Sequence, residues 1–273
     1  MNSPSRLAAA IVGSLALALS ACTSLAPQQP PPAPVLTSAP ASAIYIGNSF
    51  FYYNNSMHGK VRAMVSEGLP GHEFRGTSVT ISGAGLDWHD VDSYFRPDGI
   101  GKYSFVAGNK VVFNKIEGPL FEVAIMMDCS QCPVHPQLAP VFREYAKKNS
   151  DIVRKHGGVP ALFMSWAYAD KPEMTKQLAD AYTAAGKEYG ALVIPAGLAF
   201  AKSIARRPDV NLYVADKRHP SPEGTYLAAA TVYATLFKQT PVGLKYTGGL
   251  KPDVARHLQQ AAWDTVQEYA SAK

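Results

Sequence analysis

Ala43-Ile44-Tyr45-Ile46-Gly47-Asn48-Ser49-Phe50 carries the first decision about the fold. Four apolar or aromatic residues closing on a glycine read as a short buried strand, since a strand covered on both faces needs no polar alternation. Gly47 lets the backbone turn sharply, and Asn48 and Ser49 stand just past the strand end. Reading outward, 79–82, 122–127, 160–166 and 191–195 repeat the buried-strand pattern. Between them, Met57, Val61, Met64 and Val65 recur at helical spacing, as do Leu138, Val141, Phe142 and Tyr145, and then Leu178, Ala181, Tyr182 and Ala185. Strands alternating with helices predict an α/β domain with a central parallel sheet covered by helices. The stretch 98–117 departs from the pattern. There Phe105 and Val106 are separated from Val111, Val112 and Phe113 by a Gly108-Asn109 turn signal, which predicts an inserted hairpin or lobe. A last helix is expected over 252–271, packing back on the domain.

The 273 residues, 47% hydrophobic and 17% charged, suffice for one sizeable core. The net charge of +5 is spread along the chain without a basic stripe, which argues against nucleic acid as a partner. At the N-terminus, Arg6 precedes the apolar run 7–19, too short to span a bilayer and typical of an export signal. Leu19-Ser20-Ala21-Cys22 resembles the lipobox of bacterial lipoproteins. That resemblance implies removal of 1–21, lipidation of Cys22 and, with Thr23 next, a site on the periplasmic face of a Gram-negative outer membrane. Residues 22–42, rich in Pro and Ala, read as an extended linker, and 43–273 as the folded domain.

In an open parallel sheet, reactive groups belong on loops at the carboxyl ends of strands. Gly47-Asn48-Ser49-Phe50, Ser82-Gly83-Ala84-Gly85 and Asp128-Cys129-Ser130-Gln131 occupy such positions, and Asp216-Lys217-Arg218-His219 precedes a helix start marked by Pro220, Ser221 and Pro222. A serine hydroxyl needs a base to take its proton, and the base needs a third group to hold its tautomer. Ser49, His219 and Asp216 fit those roles, and the Ser49 amide can point at a developing oxyanion. Taken singly, each has a structural reading: Ser49 as a helix cap, His219 as a surface loop residue, Gly83 as a turn glycine.

Ile46-Gly47-Asn48-Ser49-Phe50 together with Asp216-x-x-His219-Pro220-Ser221-Pro222-x-Gly224 resembles the SGNH (GDSL-type) hydrolase superfamily, within it the lipoprotein branch whose first block has Asn48 in place of the more usual Asp. The resemblance implies a flavodoxin-like three-layer α/β/α sandwich, no cofactor, and ester hydrolysis through an acyl-enzyme, often on acylated carbohydrate. It makes Ser49 the nucleophile, Asp216 and His219 the rest of the triad, and Gly83 an oxyanion donor, with Gly85 as competitor. The third block departs, since the superfamily usually places an Asn in the oxyanion hole there. This chain offers Ser130 and Gln131, and Gln131 is the preferred substitute.

Trp88, His89 and Trp166 are candidates for lining a sugar pocket, against a plain packing role. Cys129 and Cys132 are expected to form a local disulfide in an oxidising compartment. With His135 they make three potential zinc ligands, but no fourth is evident, so no metal site is assigned. The expected function is a lipid-anchored esterase or deacetylase acting on a small or glycan ester. A non-catalytic glycan-binding lipoprotein and a thiol oxidoreductase on Cys129 and Cys132 are the alternatives. The oligomeric state is not legible.

Overall fold

Strand β1 (Ser42–Gly47) is buried along its whole length, and neighbours on both edges explain why. The computed structural model describes residues 31, 35–97, 100, 103–115 and 117–272. The expected lipidation site Cys22, the expected leader 1–21 and most of the expected linker lie outside them. The sheet holds β2 (Arg75–Thr80), β1, β5 (Val123–Met126), β6 (Val159–Phe163) and β7 (Leu192–Ile194) in that spatial order, every pair parallel. From β1 the chain first goes outward to β2 and then returns to the other side of β1 as β5. The sequence order therefore reverses between β1 and β5, and the crevice at the carboxyl ends of these two strands is where an open α/β sheet places its site.

Side chains alternate along each strand, so one strand feeds two cores. Ala43 and Tyr45 join the core under α2 (Met57–Gly68), α6 (Ala196–Arg206), α7 (Pro222–Phe237) and α8 (Pro252–Ser271). Ile44 and Ile46 join the core under α4 (Ala139–Lys155) and α5 (Met174–Tyr189). The result is the expected three-layer α/β/α arrangement. Helix α7 is apolar on nearly every side, because α2 and α8 cover the faces turned away from the sheet.

The strand readings hold to within a few residues, with two informative shifts. β2 begins at Arg75, earlier than the apolar signal at 79, because it is an edge strand with half-buried side chains that demand no apolar run. β6 ends at Phe163, and Ser165 and Trp166 already belong to the following loop. The expected hairpin is β3 (Tyr103–Val106) paired antiparallel with β4 (Lys110–Phe113), separate from the main sheet. Gly47 has another reason than the one expected: its φ is not left-handed, but a Cβ there would meet the Phe51 ring at 2.8 Å.

Candidate active site

Ser49 opens the short helix α1 (Ser49–Tyr52), directly after β1. Its hydroxyl Oγ lies 2.8 Å from His219 Nε2, although 170 residues separate them. His219 Nδ1 lies 2.5 Å from Asp216 Oδ2, while Asp216 Oδ1 accepts the amides of Arg218 and His219 at 2.9 Å each. With Nδ1–H donated to the carboxylate, Nε2 is left to accept the Ser49 proton. Burial alone would raise the Asp216 pKa, but the His219 hydrogen bond and the two amides outweigh it and hold it at about 2. The carboxylate is therefore ionised wherever an imidazole base works.

The tight loop that makes this possible turns through Lys217, at φ 66°, and is clipped at its base by the Val214 amide donating to the His219 carbonyl at 3.0 Å. The ring of His219 stacks on Tyr53 (centroids 4.3 Å, 11°) and meets the ring of Phe50 edge-on at 5.5 Å. Tyr53 leads into Asn54, Asn55 and Ser56, three consecutive non-glycine residues with φ between 52° and 69°. Strain of this kind persists where surrounding contacts over-determine it. Here Asn54 Nδ2 donates to the Pro220 carbonyl at 2.9 Å and to Thr225 Oγ1 at 2.7 Å, tying the nucleophile loop to the loop that carries the base.

A second set of contacts, missed by the sequence reading, joins the three loops behind Ser49. Asn48, almost fully buried, donates through Nδ2 to the carbonyls of Ala84 at 2.9 Å and Asp128 at 3.2 Å, while its Oδ1 accepts the Phe50 amide at 3.2 Å. Asp128 Oδ1 in turn accepts the amides of Leu86 at 2.9 Å and Cys129 at 2.8 Å. Gly85 must be glycine here, because a Cβ would come within 2.8 Å of that same oxygen. The helix cap offered for Ser49 falls instead to Asn48, one residue earlier, and the two carbonyl partners of Asn48 lie 36 and 80 residues away.

Burial of Asp128 raises its pKa to about 6, against the lowering effect of the two amides and with a smaller push from Asp87. A carboxyl whose folded pKa exceeds its unfolded value of about 3.9 stabilises the fold below pH ~4 and loses that contribution as pH rises through ~6. Asp128→Asn keeps an acceptor for both amides and removes the buried charge. Its melting temperature is therefore expected to exceed that of the wild type at pH 8, by a stability of about 2–3 kcal/mol, and to converge with it below pH ~4. Equal melting curves across that range would show that Asp128 is not a buried charge.

Gly83 sits on an exposed turn at φ 72°, a conformation that favours glycine, and its side of the loop is open. Of the two third-block candidates, the Ser130 hydroxyl is engaged with the Tyr168 hydroxyl at 2.6 Å, whereas among the described residues nothing hydrogen-bonds to the side chain of Gln131. Trp88 is 60% exposed and open to a ligand. Two pocket candidates are corrected. Trp166 is fully buried, sandwiched between Phe50 (4.5 Å) and Phe200 (4.1 Å), with Nε1 donating to the Arg218 carbonyl at 2.9 Å. It supports both the nucleophile helix and the base loop from behind. His89 is also buried: Nε2–H donates to the Gly47 carbonyl at 3.1 Å, so Nδ1 accepts the Tyr94 hydroxyl at 3.1 Å, and burial holds its pKa below the ordinary histidine value.

Cys129 and Cys132 are joined in a disulfide with Cα atoms 5.2 Å apart, so neither sulfur can serve as a metal ligand beside His135. Closing so short a loop contributes about 2 kcal/mol. The double change of Cys129 and Cys132 to Ser is expected to lower the melting temperature by a few degrees and slow turnover without abolishing it. Complete loss of turnover in a folded variant would give the sulfurs a chemical role.

No family model and no curated protein sequence matches the chain. Solved structures do match. A DUF4886 family protein from Bacteroides uniformis superposes with a TM-score of 0.57 at 16% identity, over 83% of this chain and 94% of that one. A catalytic mutant of an acetylxylan esterase from Geobacillus stearothermophilus gives 0.52 at 12%, over 73% and 95%. A member of the lipolytic protein G-D-S-L family from Veillonella parvula gives 0.51 at 10%, over 72% and 99%. The protein thus has the α/β fold of the SGNH (GDSL-type) hydrolases.

Proposed function

We propose that the protein is a serine esterase that acts through an acyl-enzyme on Ser49. The observation that carries this reading is the unbroken relay from Ser49 Oγ through His219 to an ionised Asp216. In it, Ser49 attacks the ester carbonyl while His219 Nε2 takes the hydroxyl proton. Asp216 stabilises the resulting imidazolium, which returns the proton to the departing alcohol. Water then repeats the sequence to release the acid. The Ser49 and Gly83 amides and the Gln131 side chain are the oxyanion donors in this scheme. Labelling by a fluorophosphonate probe that is lost in Ser49→Ala, with release of p-nitrophenol from its acetate ester, supports the proposal. An unlabelled wild type favours a glycan-binding protein without turnover, a reading consistent with the missing third-block Asn.

The substrate class we assign is an acylated carbohydrate, with exposed Trp88 as a stacking surface, and the place of action is the cell envelope. The basis for the latter is Cys22 behind its apolar leader. Incorporation of radioactive palmitate into the wild type and its loss in Cys22→Ala is the expected result. Labelling retained in Cys22→Ala would move the anchor elsewhere.

A further inference from the structure

The β3–β4 hairpin stands apart from the main sheet, and its cross-strand register sorts its side chains cleanly. Tyr103 opposes Phe113 and Phe105 opposes Val111, and directly opposed residues share a face, so one face is wholly apolar. The other face carries Ser104 with Val112 and Val106 with Lys110. Among the described residues most of this face is open: Phe105 is 74% exposed and Tyr103 51%, while Phe113, 48% exposed, borders a cavity that Phe95 and His156 also line. An isolated two-stranded hairpin is marginal in water, and one that presents two phenylalanines and a tyrosine to solvent needs a partner surface.

The position of the hairpin narrows that partner. Glu117 and Pro119, just past β4, line a cavity of about 630 Å³ with Ala41, Ser42 and Arg75, so the hairpin springs from the amino end of the sheet, where β1 and β2 begin. The chain leading to the proposed anchor leaves at the same end, since Pro31 packs against Gly190, just ahead of β7. From Cys22 to Pro31 is nine residues, which reach at most about 30 Å. Ser49 and His219 lie at the opposite, carboxyl end. Between 102 and 115 the chain holds Lys102, Lys110 and Lys115 and no acidic residue. An aromatic face with Lys110 at the turn end on the reverse face and Lys115 just past β4 suits the headgroup region of an anionic bilayer, where rings meet acyl chains and the long lysine side chains reach the phosphates.

We propose that the apolar face of β3–β4 docks on an anionic lipid bilayer, forming a second membrane contact beside the acyl chains at Cys22. That this contact is the second one rests on the lipid-anchor reading; the docking of the exposed aromatic face does not. With anchor and hairpin at one end, the sheet stands on the membrane and presents the triad away from it. Tethering by two points also fixes orientation, which a flexible linker alone does not.

Both cores are built from residue 36 onward, so the chain lacking its first 21 residues, with Cys22→Ser, folds without the anchor and reports on the hairpin alone. Co-sedimentation with phosphatidylglycerol vesicles should pull down this form. Phe105→Ser with Phe113→Ser should weaken partitioning about tenfold or more, with melting temperature and ester hydrolysis unchanged. Lys110→Glu with Lys115→Glu, both on exposed positions, should weaken binding to phosphatidylglycerol but not to phosphatidylcholine vesicles. If the unlipidated chain stays in the supernatant at every lipid concentration, the proposal is overturned whatever palmitate labelling says of Cys22. If the chain is a dimer by light scattering, becomes a monomer on Phe105→Ser and ignores vesicles, the face belongs to a second copy and the proposal is likewise overturned.

Discussion

Ser49→Ala is expected to lower kcat for p-nitrophenyl acetate by about a millionfold, and His219→Ala by nearly as much, while the double change adds almost nothing. The non-additivity follows from the geometry. One proton moves between Ser49 Oγ and His219 Nε2, while Nδ1–H stays hydrogen-bonded to the ionised Asp216 carboxylate that stabilises the imidazolium, so removing any member leaves the others without work. Asp216→Asn should fold yet lose about ten-thousandfold, because an amide at this position favours the wrong imidazole tautomer. Multiplicative effects of Ser49→Ala and His219→Ala would break the relay as a mechanism. Acid behaviour offers a further check. A carboxylate depressed to about 2 contributes stability above its unfolded pKa of about 3.9, and that contribution fades as pH falls through ~2. Activity lost above pH ~4 must therefore have a source other than protonation of Asp216.

Asn48→Asp is expected to cost about 3–5 kcal/mol of stability and about a hundredfold in kcat/KM, although it changes a single group. The amide Nδ2 donates to two carbonyls, Ala84 and Asp128, and a carboxylate has nothing to donate. It would stand instead as a buried charge against two carbonyl oxygens, with the carboxyl group of Asp128 on the residue that carries one of them. The first loss unties the turn bearing Gly83 and the loop bearing Gln131 from the nucleophile, which is the loss in kcat/KM. Adding Asp128→Asn removes the repulsion between charges but restores no donor, so it should recover part of the stability and little of the rate. Melting temperature and kcat/KM measured on both variants decide this, and wild-type values for Asn48→Asp would show that the three loops hold their positions without it.

The residues that lie near each other along the chain were readable. Asp216 and His219 are three apart and one tight loop brings them together; Cys129 and Cys132 are likewise three apart and meet in a disulfide. The hairpin turn at Gly108-Asn109 and the C-terminal helix also follow from local chemistry. Trp166 and His89 went the other way. A large aromatic residue past a strand end looks the same whether it faces a ligand or the back of the site, and only the rings of Phe50 and Phe200 on its two sides decide between them.

Taken by itself, the sequence determined the alternation of strands and helices, the sites at strand ends and the pairing of base and acid, because apolar periodicity and short-range loop geometry are local properties. Only the tertiary structure decided the rest. Strand order put the reversal between β1 and β5, so that Asn48 could reach two carbonyls on separate loops, and it carried His219 across 170 residues to 2.8 Å from Ser49. Hydrogen bonds across such separations depend on how the whole sheet is ordered and packed, and no single window of the chain records that.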